Sequence, residues 1–436
     1  MDYYDLTIIG SGWAGFNAAL RAKAHGLKVA LIEKEQIGGT CLNRGCIPTK
    51  TLLQSAKIYN LAKKSKAFGI ETGIPQINFP EIQARKNKII QQLRQGMERM
   101  LRGIDFLNTQ ALILSKNTLE IEKKQINTKF MLVATGSKPL ELKDIKFDGK
   151  KIISSNEILD LKEIPSSLLI IGGGVIGCEF ASLFSTFGCL VSIVELTPQL
   201  LPGIDKEIAK RLEAVFKKKG IKVATNTNAI NLDLSHYDLV LLCVGRTCVT
   251  EELGLDKLGV KLEKSRIIVD EYLKTSISNI YAAGDCASKI CLAHFAAYLG
   301  CIAAENIADP SHLKKFNDSN IPNCIFTDPE IGSVGLTEEE AKSKDANIKV
   351  HKFDFLGSGM ARILDETEGF IKIISDNKTE EILGASIIGP RATELIGILT
   401  VAIQSRLLVS QVENTILAHP TLSESIISAL KEEHGL

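Results

Sequence analysis

Twice in this chain a short apolar run closes on a glycine-rich turn, enters a helical stretch, and returns as a second apolar run ending in a glutamate. The first copy comprises Leu6 to Gly10, the turn Gly10-Ser11-Gly12-Trp13-Ala14-Gly15, an alanine-rich stretch from Gly15 to Gly26, Val29 to Ile32, and Glu33, eighteen residues after Gly15. The second comprises Leu168 to Ile171, Gly172-Gly173-Gly174-Val175-Ile176-Gly177, a helical stretch to Gly188, Leu190 to Val194, and Glu195. Glycines permit the tight turn and bring a pyrophosphate to a helix N-terminus, whose free N–H groups and dipole favour an anion. The acid at the strand end accepts hydrogen bonds from a ribose. A lone glycine motif carries little weight against a purely structural turn; strand, glycines, helix, strand and acid in order specify a dinucleotide-binding βαβ fold. Gly10, Gly12, Gly15 and Glu33 are the candidates of the first site, and Gly172, Gly174, Gly177 and Glu195 those of the second. Glu195 favours NAD, because a carboxylate there bonds both ribose hydroxyls and repels the 2′-phosphate of NADP; the alternative is a strand-end glutamate without a ligand.

Two dinucleotide folds imply two redox carriers with electrons passing between them. Three further apolar runs also close on glycine: Phe130 to Ala134 before Thr135-Gly136, Asp238 to Val244 before Gly245, and Ile280 to Ala283 before Gly284-Asp285. Ligands of open α/β sheets approach at such strand ends. Phe79 to Arg102 has helical spacing. From Ile321 the pattern changes to β-like segments, such as Phe370 to Ile374 and Leu383 to Ile388, alternating with helices at Ala392 to Ser405 and Ser423 to Leu430. The expected fold class is therefore α/β, with two Rossmann-like domains and a C-terminal α+β domain. The expected division is 1–140, 141–268, a central segment 269–320 that completes the first domain, and 321–436.

Length and composition narrow the rest. The chain has 436 residues, 45% of them hydrophobic, with Lys+Arg 52 against Asp+Glu 51. Scattered, balanced charge excludes the basic surface that nucleic acid requires; Lys217-Lys218-Lys219 before Gly220 reads as cations in the last turn of a helix. No stretch of about 20 apolar residues predicts a membrane span. The start, Met1-Asp2-Tyr3-Tyr4-Asp5, lacks the marks of a signal peptide, so a cytoplasmic location is expected.

Ten cysteines are spread along the chain, and in a reducing compartment most act as small buried hydrophobes. Cys41 and Cys46 stand apart in Gly38-Gly39-Thr40-Cys41-Leu42-Asn43-Arg44-Gly45-Cys46-Ile47-Pro48-Thr49-Lys50, five positions apart, with Pro48 suited to a first helical turn. A thiol at a helix N-terminus is favoured as thiolate, which electron transfer through sulfur needs. The alternatives are a zinc half-site, for which no second Cys or His pair follows, or two unrelated buried thiols. No metal is expected.

With these residues the chain resembles the pyridine nucleotide-disulfide oxidoreductases over essentially its whole length. The resemblance implies that Gly10 to Gly15 and Glu33 hold FAD, that Cys41 is the interchange thiol, and that Cys46 faces the flavin as a thiolate. It implies FAD contacts at Thr40, Lys50, Gly136, Asp285 and Ala293, the last in a loop with His294, and an NAD site extending to Glu179 and Gly245. Lys50 corresponds to the family lysine near the flavin, and Glu179 to its ion-pair partner. His419-Pro420-Thr421-Leu422-Ser423-Glu424 resembles the acid–base signature, in which the histidine serves the partner subunit's cysteines and the glutamate orients it, making a homodimer obligatory. Thr421 to Glu424 also fits a helix capping box.

Among family branches, Gly39 to Asn43, the histidine signature and Glu195 agree with the lipoamide enzymes. The end Glu433-His434-Gly435-Leu436 carries no cysteine pair, against mercuric and large thioredoxin reductases. The resemblance thus implies oxidation of protein-bound dihydrolipoyl groups with NAD as acceptor, the partners being lipoyl domains of acyltransferase (E2) components or the glycine cleavage H protein. The alternatives are a glutathione reductase-like enzyme and a non-catalytic FAD-binding assembly subunit. One departure stands out: between Val223 and Asp238 the family has a longer antiparallel meander, and here there is room for one or two short strands.

Overall fold

The computed structural model describes residues 3–344 and 347–431; the tail from Glu433 to Leu436 lies outside the described residues. The first sheet is built around Tyr3–Ile9, which pairs in parallel with Val29–Ile32 on one side and Lys124–Val133 on the other. Val29–Ile32 is buried along its whole length, as a strand covered on both faces must be. Asp105–Leu107 forms the edge beyond it. Lys124–Val133 extends well before the expected start at Phe130, because its first residues pair antiparallel with Thr118–Ile121, which in turn pairs with Ala111–Ser115. The polar residues of Lys124-Gln125-Ile126-Asn127-Thr128 conceal this meander from a reading based on apolar runs.

After the second fold the chain returns: Ile280–Ala282 joins the first sheet in parallel with Lys124–Val133, Ile280 opposite Met131. That pairing brings Gly284-Asp285 beside Thr135-Gly136. The helix Ala293–Ala308 then lies against Trp13–Ala24, with Phe295, Leu299 and Ala303 in one core with Phe16, Ala18 and Ala22.

The second sheet is wholly parallel, in the order Lys222–Ala224, Leu190–Val194, Ser167–Ile171, Leu239–Leu242, Ile152–Ile153. The expected meander strands do not form after Ala224. The segment instead contains one helical turn, Ala229–Asn231, and lays Ala229, Leu232, Leu234 and Tyr237 on the sheet face against Ile145 and Phe147. An apolar strap thus shields the face with fewer residues than a meander. The two folds are also tied by a short antiparallel pair, Ser137–Pro139 with Arg246–Cys248.

The C-terminal part is an antiparallel five-stranded sheet, ordered Asn323–Ile325, Glu330–Gly335, Ile382–Gly389, Phe370–Asp376, Ile348–Asp354. Ala392–Gln404 packs Leu395, Ile396, Leu399 and Ile403 into its core, so this part is the α+β domain that the sequence predicts. Among the described residues no helix is long and apolar enough to cross a membrane.

Candidate active site

Both glycine turns are held by the same device. A Cβ on Gly15 would lie 1.8 Å from Gly10 O, and one on Gly177 would lie 2.0 Å from Gly172 O, so each helix starts closer to its strand than any side chain allows. The two strand-end acids lock the turns. Glu33 accepts from Ser11 N and Ser11 Oγ, each at 2.9 Å. Glu195 accepts from Gly173 N at 2.6 Å and Thr197 N at 2.7 Å. Neither following helix, Trp13–Ala24 or Val175–Thr186, has a side-chain cap on its N-terminus, which leaves backbone donors free for an anion.

Both turns open into one continuous cavity of about 1760 Å³, beyond the roughly 300 to 1,000 Å³ that serves one small ligand. Its walls include Gly10, Gly12, Glu33, Thr40, Lys50, Gly136, Asp285 and Ala293 at one end, and Gly172, Gly174, Glu179, Glu195 and Gly245 at the other. Gly15 and Gly177 stand behind the walls and act through the turns. The residues fit FAD and a second dinucleotide: a Cβ at Gly12 would meet nothing nearer than Gly39 Cα at 3.9 Å, and one at Gly174 nothing within 4 Å, so both cradles are open to a phosphate. Asp285 accepts from Ser137 Oγ, which itself accepts from Arg246 Nε at 2.7 Å, linking the joint between the folds to the first site. Ala293 is the first residue of a helix, not part of a loop as the sequence suggests, and His294 is turned to the carbonyl of Pro322, 2.9 Å from Nε2.

Between the two ends lie the cysteines. Gly39–Arg44 is a short helix that breaks at Gly45, and Cys46 is the first residue of the helix Cys46–Lys64, with Pro48 in its first turn. Both thiols are unpaired and within hydrogen-bonding reach of each other. Their titrations are tied together by that contact. The hydrogen bond from Cys41 draws the Cys46 thiol down to about 7 against the opposing effect of burial, and the Lys50 ammonium adds to the lowering. Cys41 is pushed well above the ordinary thiol range, first by its bond to Cys46 and then by burial, although the Trp13 side chain also hydrogen-bonds it. Trp13 belongs to the first glycine turn, so its reach to Cys41 escaped a reading that assigned that turn to phosphate alone.

Lys50 Nζ donates to both carboxylate oxygens of Glu179 at 2.8 Å. Glu179 is buried and comes from the second fold, so the pair bridges the two dinucleotide domains beside Cys46. His419 is elsewhere: its side chain is 81% exposed and it does not line the cavity. Its Nδ1 lies 2.9 Å from Glu424 Oε1, while Glu424 Oε2 accepts from Thr421 N at 2.7 Å. The carboxylate therefore orients the ring and gathers the backbone before the helix Glu424–Leu430, whose cap is Ser423 and not Thr421 as the capping-box pattern suggests. Those two bonds hold the Glu424 carboxyl below its usual range, the Thr421 N–H first and His419 second. The residues found together are thus the thiols, Lys50 and Glu179; His419 and Glu424 form a separate exposed pair on the C-terminal domain.

Two dinucleotide cradles that meet at a dithiol define a disulfide oxidoreductase. Residues 4–300 match the pyridine nucleotide-disulphide oxidoreductases and residues 321–430 match that family's dimerisation domain. The chain is 37% identical to a dihydrolipoyl dehydrogenase of Zymomonas mobilis, covering 100% of this chain and 98% of that protein. It is 39% identical to a dihydrolipoyl dehydrogenase of Chlamydia pneumoniae, covering 97% and 95%. Among solved structures, the HOCl-induced flavoprotein disulfide reductase RclA from Escherichia coli, in its Cu(II) complex, superposes with a TM-score of 0.89 at 29% identity over 100% of both chains. The chain belongs to the pyridine nucleotide-disulphide oxidoreductase family. It is a homodimeric enzyme that uses FAD and NAD.

Proposed function

We propose that the protein oxidises protein-bound dihydrolipoyl groups and reduces NAD. The observation that carries this reading is the dithiol itself: Cys46 heads a helix, its thiolate is favoured near neutral pH, and it stands at the meeting point of both cradles. In the oxidised enzyme a lipoyl thiolate attacks Sγ of Cys41, the Cys41–Cys46 bond breaks, and Cys46 leaves as a thiolate. A thiol of low pKa is the better leaving group. The second lipoyl thiol loses its proton to His419 of the partner subunit and attacks the lipoyl sulfur of the mixed disulfide; the bond to Cys41 breaks, and Cys41 leaves as a thiolate that takes that proton. Lipoyl disulfide is released, and the enzyme holds two electrons as the Cys41–Cys46 dithiol. FAD, when bound, supplies the two-electron path from this dithiol to NAD.

Gly10, Gly12, Gly15, Glu33, Thr40, Lys50, Gly136, Asp285 and Ala293 would hold FAD, and Gly172, Gly174, Gly177, Glu195 and Gly245 would hold NAD, with Glu179 acting through Lys50. Glu424 keeps the His419 ring oriented through its contact with Nδ1. The substrates in this reading are lipoyl domains of acyltransferase (E2) components or the glycine cleavage H protein, and ten cysteines spread through the chain suit a reducing cytoplasm. The names of the relatives favour dihydrolipoyl substrates over glutathione disulfide, and intact thiols speak against a non-catalytic subunit.

The test is NADH formation from NAD and dihydrolipoamide, beside NADPH oxidation with glutathione disulfide on the same sample. Activity in the first assay alone is expected. Activity in the second alone would overturn the substrate assignment, and silence in both with FAD bound would favour the assembly subunit.

A further inference from the structure

Phe326 follows the first strand of the C-terminal sheet, Asn323–Ile325, and no motif marks it. Its segment is laid along the helix Val175–Thr186 by two bonds: Phe326 N donates to Glu179 Oε1 at 3.0 Å and Asp328 N to Ser182 Oγ at 2.9 Å. Lys219 Nζ anchors the same stretch from the second fold, 2.7 Å from Asp328 Oδ2. So placed, the Phe326 ring lines the cavity with the Lys50 ammonium 4.8 Å from its centroid. Lys50 is thus held from three directions: its own helix in the first fold, the Glu179 carboxylate of the second, and an aromatic face of the C-terminal domain. A desolvated cation over a ring is attracted by the ring's negative face.

We propose that Phe326 is a positioning residue of the redox centre, its ring and backbone N–H fixing the Lys50–Glu179 pair so that the ammonium stays directed at Cys46. The charged and titratable groups that act on this spot are Cys41 from the short helix, Lys50 from the long one, Glu179 from the second fold, and Cys324 from the C-terminal strand. Of these only Lys50 is cationic, so its orientation sets the charge contribution that adds to the larger effect of the Cys41 hydrogen bond, and it is the favourable one that remains when Cys41 is replaced. The C-terminal domain, by this route, reaches the thiol centre of its own subunit through a residue distinct from the exposed histidine.

The inference rests on the proposed roles of the thiols, and its test does not depend on turnover. In FAD-loaded Cys41→Ser protein, which isolates Cys46, the rate of iodoacetamide labelling at Cys46 is followed by peptide mass spectrometry across pH. Adding Phe326→Leu keeps the backbone N–H and removes the ring; labelling at neutral pH should fall about two- to fivefold and its midpoint move upward, since loss of a directed cation disfavours the thiolate. Phe326→Tyr, which keeps the π-face, should restore the parent profile. A ring-fluorinated phenylalanine at 326 keeps the shape but weakens the π-face, and should behave as Leu even where Phe326→Leu fails to fold. An unchanged profile in the Leu and fluorinated variants, or a Tyr profile displaced as far as that of Leu, overturns the proposal. Failure of dihydrolipoamide oxidation by the unmodified enzyme would instead sink the substrate reading and leave this result standing.

Discussion

Glu195 does two jobs with one carboxylate. It holds Gly173 N and Thr197 N, closing the second glycine turn, and it faces the cavity where the ribose of NAD is expected. Charge-assisted bonds to backbone N–H groups are the strong kind. Glu195→Ala should therefore raise KM for NAD by about tenfold or more, as a lost charged contact of roughly 1.5 to 3 kcal/mol implies. NADP should gain little, because the lining residues beside it, Leu196, Thr197 and Pro202, offer no cation for a 2′-phosphate. Comparing KM for both nucleotides decides the matter; a variant that kept its NAD affinity would show the acid to be purely structural. Glu195 was legible in the sequence because its spacing from the glycines is fixed by the length of one helix and one strand. Lys50 and Glu179, 129 positions apart, became visible through resemblance alone. Phe326 left no signal, since a backbone N–H and a ring face belong to no pattern of residue types.

At the scale of elements, strands with continuous apolar runs were readable to within a residue or two, as Val29–Ile32 and Leu190–Val194 show. Polar strands at the start of Lys124–Val133 were not, because water-facing strands lack an apolar period. Equally hidden was the charged lock between the second fold and the C-terminal sheet. Lys372, 1% exposed in the strand Phe370–Asp376, lies 2.9 Å from Asp205 Oδ2 at the start of the helix Lys206–Lys218, 3.3 Å from Glu207 and 2.5 Å from Glu338. Burial alone would depress its pKa, yet the bonds to Glu338 and Asp205 outweigh it and hold the lysine charged. Removing one member of a buried pair strands the other, so Lys372→Met should destabilise the protein by about 3 kcal/mol, read from urea denaturation midpoints. A loss below about 1 kcal/mol would show that water already screens the cluster. Bonds from Lys342 and then Lys372 depress the Glu338 carboxyl. Its contribution is thus present above the ordinary carboxylate range and disappears as pH falls through the lower folded value. The unaltered protein should accordingly lose stability on acidification more steeply than Glu338→Gln.

For the whole molecule, the decisive fact is the separation within one chain of the thiols from His419. The histidine and Glu424 sit on the surface of the domain that matches the family's dimerisation domain, with Ile416 just before them 97% exposed. A large apolar side chain left open beside an oriented imidazole suits a face that a second copy covers. In a two-fold dimer each partner offers the same patch, so each dithiol would receive the other chain's imidazole. Single substitutions cannot separate this arrangement from one in which His419 acts on its own chain, because in the proposed mechanism Cys41→Ser and His419→Gln would each abolish turnover either way. Hybrid dimers can. Mixing the two variants after dissociation yields molecules in which one chain retains Cys41 and the other retains His419. If the histidine serves its partner, one site of each hybrid is whole and the mixture recovers about a quarter of the unmodified activity, since half the dimers are hybrids. If it serves its own chain, no hybrid holds a complete site and the mixture stays silent. NADH-dependent reduction of a small electron acceptor, which needs the flavin but no imidazole, should persist in His419→Gln throughout; its loss would mean that the substitution had damaged the cofactor site and not proton transfer.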